Sequence, residues 1–109
     1  MHAGIWAPSS CNDQMWDLVA VDDPAVNARR AALSTQMGNA PVNIVVSYGR
    51  EFSEEGSADI QSAGALIQNR SLAAHALGLG TFWITQMGGS KRVREAVGLP
   101  RDRLDLGSA

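Results

Sequence analysis

The chain has 109 residues and weighs 11.6 kDa, a length that predicts one domain, 1–109. Hydrophobic residues at 45% and charged residues at 18% exclude a charge-rich disordered chain. Nine Lys plus Arg against eleven Asp plus Glu leave a net charge of -2, which argues against a nucleic-acid partner.

In chain order, residues 6–13 read as a loop. Pro8 disfavours helix at Ala7, and Ser9, Ser10, Asn12 and Asp13 supply side-chain bonds to nearby backbone. A short apolar strand follows over 15–21. Asp23 is placed to cap a helix with Pro24 at its first position. That helix is predicted to reach about Met37 and to end at Gly38 or Asn39. Residues 42–48 form a second, β-branched strand, and 50–57 an acidic surface loop. The longest helix is predicted over 59–77, stopped by Gly78-Leu79-Gly80. On it Ile60, Gly64, Ile67, Ser71 and Ala74 share a face, with Ala63, Leu66, Ala73 and Leu77 alongside. Much of that face is small, which suits close approach by another helix. A third strand is expected over 81–85. Gly88-Gly89 then turns the chain, and Ser90 caps a short helix ending at Gly98-Leu99-Pro100. The alternation of strands and helices predicts an α/β or α+β domain, with strand directions left open.

Reactive side chains are few. His2 and His75 are the only histidines, without acidic residues at ligand spacing, so no metal site is expected. Ser9, Ser10 and Cys11 have no nearby base in sequence that would make them nucleophiles. Gly88-Gly89-Ser90-Lys91 lacks the first glycine of a phosphate loop, because position 84 is Ile. The single cysteine rules out an internal disulfide framework. No stretch nears the ~20 apolar residues of a membrane span, and the start lacks a signal-peptide pattern. A cytoplasmic protein is expected.

One pattern extends over most of the chain. Ala7-Pro8-Ser9-Ser10-Cys11-Asn12-Asp13-Gln14-Met15-Trp16 precedes the first strand, and Ala40-Pro41 introduces the second. Asp59, Ile67-Gln68-Asn69, Leu72-Ala73-Ala74 and Leu77-Gly78-Leu79-Gly80-Thr81-Phe82-Trp83 follow, and Val93-Arg94-Glu95-Ala96-Val97-Gly98-Leu99-Pro100 closes the series. This succession resembles the nitroreductase family, whose hallmarks are an A-P-S-x-x-N-x-Q-P-W loop, a D-x-x-x-A-x-x-x-x-Q-N-L helix leading to G-L-G-T, and a V-x-x-x-L-G-L-P close. The resemblance covers roughly residues 5–100.

The resemblance implies an α+β fold, arranged as a three-layer α/β sandwich, with a long central helix at a homodimer interface. It implies bound FMN and electron transfer from NAD(P)H to a nitroaromatic, quinone or similar small acceptor. No side chain is nominated as acid, base or nucleophile. Carried over by position, Pro8, Ser9 and Ser10 meet the flavin from the neighbouring subunit, and Asn12 and Gln14 are amides beside the ring. Trp83, Ile84 and Thr85 lie along the isoalloxazine. Two departures stand out. Met15 replaces the family's usual proline. The arginine-rich segment that precedes the loop in the family, and clamps the FMN phosphate, is not in this sequence. The chain also reaches Ala109 before the family's next strand and C-terminal arm, on the sequence reading. Arg29, Arg30, Arg92 and Arg94 are present, with nothing in sequence to place them at a phosphate. The alternative function is a degenerate, non-catalytic subunit or fragment that dimerises without tightly bound flavin.

Overall fold

The computed structural model describes residues 2–30, 35–49, 57–85 and 103–108, together with Arg92, Glu95 and Gly98 as single positions. Three strands form an antiparallel sheet in the order β1 (Trp16–Val21), β2 (Asn43–Gly49), β3 (Arg103–Ser108). Helices α1 (Pro24–Arg30) and α2 (Thr35–Asn39) connect β1 to β2, and α3 (Ser57–Ala76) follows β2.

The ladder between β1 and β2 runs from Trp16 opposite Tyr48 to Val21 opposite Asn43. On the other side β3 pairs with β2 from Gly49–Arg103 to Val45–Ser108, with a register shift between Val46 and Ser47. Such a shift accommodates an extra residue and sharpens local twist. Because β2 is central, both of its edges are paired. Alternation places Val46 and Tyr48 on one face, where they pack with Ala63, Leu66 and Ile67 of α3 and with Ala7. Asn43, Val45 and Ser47 share the opposite face, and Asn43 bonds to α1 and α2. The result is a small antiparallel sheet with α3 packed on one face and α1 and α2 joined to the start of β2 through Asn43, a mixed helix and strand fold of the predicted α+β class.

Local chemistry explains the helix ends. The Asp23 carboxylate accepts the N–H of Ala25 at 2.8 Å, and Pro24 begins α1 as predicted. Gly78 adopts φ 77° after α3. Its N–H donates to the His75 carbonyl and that of Leu79 to the Ala74 carbonyl, each at 2.9 Å. This is a Schellman ending, available to glycine at no steric cost.

Two expectations need correction. Residues 81–85 do not form the third strand: only Ile84 makes a bridge, and 81–83 and Thr85 carry no strand pairing. The apolar, β-branched composition of that stretch favours a strand, but composition alone supplies no partner edge. The third strand lies at Arg103–Ser108, where the sequence reading had none. Its assignment comes from long-range pairing with β2, to which a Gly-Ser ending gives no local signal. The predicted turn at 88–89, the Ser90 cap, the loop at 50–56 and Arg94 fall outside the described residues.

The stripe Asp59, Ser62, Ala63, Leu66, Ile67 is buried along α3, following helical spacing. Ala63, Leu66 and Ile67 of the predicted small-residue face are thus used within the subunit. Ile60, Leu72 and Leu77 remain exposed.

Candidate functional site

The loop between Ala7 and Trp16 is an ordered structure with an unusual backbone. Cys11, Asn12 and Gln14 have φ of 52°, 56° and 52°. L-residues pay roughly 1–2 kcal/mol in this region, Asn least because its side chain bonds locally. Something must therefore hold the loop. Inside it, Ser9 Oγ accepts the Gln14 N–H at 3.1 Å, and Gln14 Nε2 donates to Asn12 Oδ1 at 2.8 Å. From outside, Ser62 on α3 accepts the Ser10 N–H at 3.0 Å and donates to the Ala58 carbonyl at 2.8 Å. The Met15 carbonyl accepts the Gly49 N–H at 2.9 Å. The Tyr48 hydroxyl, from the buried core, donates to Asp13 Oδ1.

Burial, and then donation to Asp13, hold the Tyr48 phenol above its ordinary 10.0. Asp13 Oδ2 is buried and unpartnered. Sequence reasoning missed Asp13, Tyr48 and Ser62 as supports. Tyr48 carried a usable signal, since it is the only tyrosine and sits in an apolar strand, where a buried hydroxyl needs a partner.

The five loop candidates, Pro8, Ser9, Ser10, Asn12 and Gln14, lie together on this turn. The Asn12–Gln14 pair occupies one carbonyl and one amide nitrogen. Among the described residues, Asn12 Nδ2 and Gln14 Oε1 have no hydrogen-bond partner and remain a donor and an acceptor.

Trp83, Ile84 and Thr85 lie elsewhere. A methyl built on Gly64 would sit 3.6 Å from Trp83 Cη2, so the indole rests over Gly64. Ser62 and Gly64 are two residues apart, about 200° around the helix. The Ser10 anchor and Trp83 therefore use opposite sides of α3. Within one subunit the two groups of candidates do not converge.

A cavity of about 400 Å³ opens beside the C-terminal half of α3, among Pro41, Ile44, Arg70, Ala74, Phe82 and Ile84. Of the candidates only Ile84 lines it. Arg70 is eight residues beyond Ser62, about 12 Å along the helix. Desolvation lowers the Arg70 pKa from its ordinary value, and its Nη1 is buried without an acceptor. Asp59 is fully buried in the first turn of α3, with both oxygens unpartnered; the helix dipole favours a carboxylate there. No group of three or more His, Cys, Asp or Glu suited to a metal occurs among the described residues, and none of their helices is long and apolar enough to cross a membrane.

Comparison with solved structures matches this architecture closely. An FMN-dependent nitroreductase from Clostridium difficile R20291 is 27% identical, with a TM-score of 0.84, covering 98% of this chain and 68% of its own. A nitroreductase-like protein from Desulfovibrio desulfuricans, solved in complex with FMN, is 32% identical, with a TM-score of 0.83 and coverages of 98% and 66%. A protein from Bacteroides thetaiotaomicron described as NADH dehydrogenase/NAD(P)H nitroreductase-like is 29% identical, with a TM-score of 0.85 and the same coverages. The chain thus spans about two-thirds of the length of these structures. No curated relative matches it. The profile of the nitroreductase family matches residues 25–107, from the start of α1 into β3. With the fold, the loop motif and that profile in agreement, the chain belongs to the nitroreductase family.

Proposed function

We propose that this chain binds FMN between two copies of itself and serves as a flavin oxidoreductase. The observation that carries the reading is the loop from Ser9 to Gln14, left-handed at Cys11, Asn12 and Gln14, with an amide donor and a carbonyl acceptor that are unpaired among the described residues. The edge of a flavin ring alternates acceptors and donors, so the donor set fits the group. The solved C. difficile relative is named as FMN-dependent and the D. desulfuricans relative was crystallised with FMN.

Asn12 and Gln14 would hold the polar edge of the ring, and Ser9 and Ser10 the ring edge or ribityl chain. Pro8 would shape the approach. Trp83, Ile84 and Thr85 would come from the second copy, because one subunit keeps them on the far side of α3 from the loop. This is the physical reason for a homodimer. The exposed apolar side chains Ile60, Leu72 and Leu77 add surface that association would cover.

The chemistry that FMN supplies when bound is two-electron transfer from NAD(P)H to a nitroaromatic, quinone or similar acceptor. The residues of this chain orient the ring, supply hydrogen bonds that tune it and exclude water around it. None is required to act as acid, base or nucleophile at fixed spacing. The exposed free thiol of Cys11 suits a reducing compartment, and we assign the protein to the cytoplasm.

Reconstitution tests the function. The purified protein, mixed with FMN and freed of excess by gel filtration, should retain the flavin absorbance bands in a dimer-sized peak. Addition of NADH or NADPH under anaerobic conditions should bleach them. A colourless protein that elutes at 11.6 kDa would overturn the reading.

A further inference from the structure

Tyr48 is completely buried beneath the loop, and its hydroxyl, which also meets the Met15 backbone and the Ser62 side chain, donates to one residue of the loop. That residue, Asp13, stands between Asn12 at φ 56° and Gln14 at φ 52°. The backbone next to Tyr48 acts on the same segment, because the Gly49 N–H donates to the Met15 carbonyl. The end of β2 thus grips residues 13 and 15, leaving Gln14 fixed between them. The ring of Tyr48 is itself fixed edge-on to Trp16, with centroids 6.2 Å apart at 69°. A hydroxyl on a rigid strand is a better reference point than a loop side chain. Nothing in the intrinsic preference of Cys11 or Gln14 favours positive φ.

We infer that Tyr48 and Asp13 are a positioning pair: the hydroxyl of one, bonded to the carboxylate of the other, sets the backbone that points the Asn12 and Gln14 amides at the flavin. The inference rests on the flavin reading above. Neither residue is required to touch the ring. Tyr48 lies in the core, and Asp13 Oδ1 is occupied by the phenol. What the pair transmits is the angle of the two amides on either side of Asp13. The bond calls for an acceptor at Oδ1, which an asparagine also offers, rather than for a negative charge.

The variants Tyr48→Phe, Asp13→Ala and Asp13→Asn separate these roles. Three quantities are measured on the full chain: FMN affinity by fluorescence titration, amide exchange of residues 9–14 without flavin, and the visible circular dichroism of bound FMN. Tyr48→Phe and Asp13→Ala should each weaken FMN about tenfold, the upper end of the loss expected for one ordinary hydrogen bond. Both should speed loop exchange and change the dichroism band. Asp13→Asn, which keeps the acceptor, should stay within about threefold of the parent with the parent band. If Tyr48→Phe fails to fold, the two Asp13 variants decide the matter, since they alter the loop and not the core. Equal loss in Asp13→Asn and Asp13→Ala would overturn the inference, because charge and not the bond would then be at work. Unchanged exchange in Tyr48→Phe and Asp13→Ala would overturn it as well. Should the parent chain bind no FMN, the flavin reading fails on that result, and loop exchange alone decides whether the pair sets the loop.

Discussion

Ser62 and Ser10 are 52 positions apart in sequence and joined by one bond, from the Ser10 N–H to Ser62 Oγ at 3.0 Å. The bond ties the first loop to the helix on which the fold is organised. Ser62 returns its own proton to the Ala58 carbonyl, so the acceptor lone pair is directed outward by the helix itself. Replacing Ser62 with Ala leaves the Ser10 N–H without a partner, a loss of about 1 kcal/mol in stability. Hydrogen exchange at the Ser10 amide should accelerate by more than exchange in β2.

A second joint ties α1 and α2 to the start of β2. Asn43 Nδ2 donates to Asn27 Oδ1 at 2.9 Å and to the Met37 carbonyl at 2.8 Å, and Asn27 Nδ2 reaches the Val21 and Pro41 carbonyls at 3.3 Å each. Both side chains are buried. Asn27→Ala removes the shared acceptor and the donor to two carbonyls at once, with an expected cost of about 1–3 kcal/mol. Urea unfolding should show a lower midpoint with an unchanged slope.

Gly4 permits a close approach. A methyl there would sit 2.7 Å from Arg70 Cγ, 2.9 Å from Cδ and 3.3 Å from Leu66 Cγ. Gly4→Ala should therefore destabilise the protein by about 1–3 kcal/mol through overpacking. Arg70→Ala removes the obstructing stem, so the double variant should recover at least ~0.5 kcal/mol relative to the sum of the single changes.

The Tyr48 phenol gives a pH signature. Its folded pKa is raised above the unfolded 10.0, first by burial and then by the bond to Asp13. The unfolded chain therefore loses this proton first as pH rises. The stabilisation is complete below pH 10 and is lost as pH climbs through the higher folded value. Melting temperature followed from pH 8 to 12 should fall more steeply for the parent than for Tyr48→Phe; parallel curves would contradict this. Every other titratable group is common to both proteins and cancels in the difference.

The elements that local chemistry controls were legible in the sequence. Asp23 and Pro24 began α1, the Val-rich run gave β2, and Gly78 closed α3. The elements that pairing controls were not. Residues 81–85 have strand composition but only one bridge at Ile84, whereas Arg103–Ser108 has a weak local signal and a full ladder to β2. The same division runs through the site. Family resemblance singled out the side chains of Pro8, Ser9, Ser10, Asn12 and Gln14, which face outward or bond within the loop. Asp13, Tyr48 and Ser62 act through distance, across 35 and 52 positions; the lone tyrosine in an apolar strand signals that a partner is needed, but no local pattern says which residue it is. The separation of Trp83 from the loop was equally hidden, because it follows from which side of α3 each one meets.

Flavin titration of the parent chain against the double variant Asn12→Ala/Gln14→Ala tests the central claim most directly. If these amides hold the ring, FMN fluorescence should saturate with the parent protein. The double variant should bind about a hundredfold more weakly, as expected for two lost hydrogen bonds of roughly 1.4 kcal/mol each. Melting temperature should fall only slightly, by what the exposed Asn12–Gln14 bond supplies to the loop. Equal affinity in the two proteins, or no saturable binding by the parent, would contradict it.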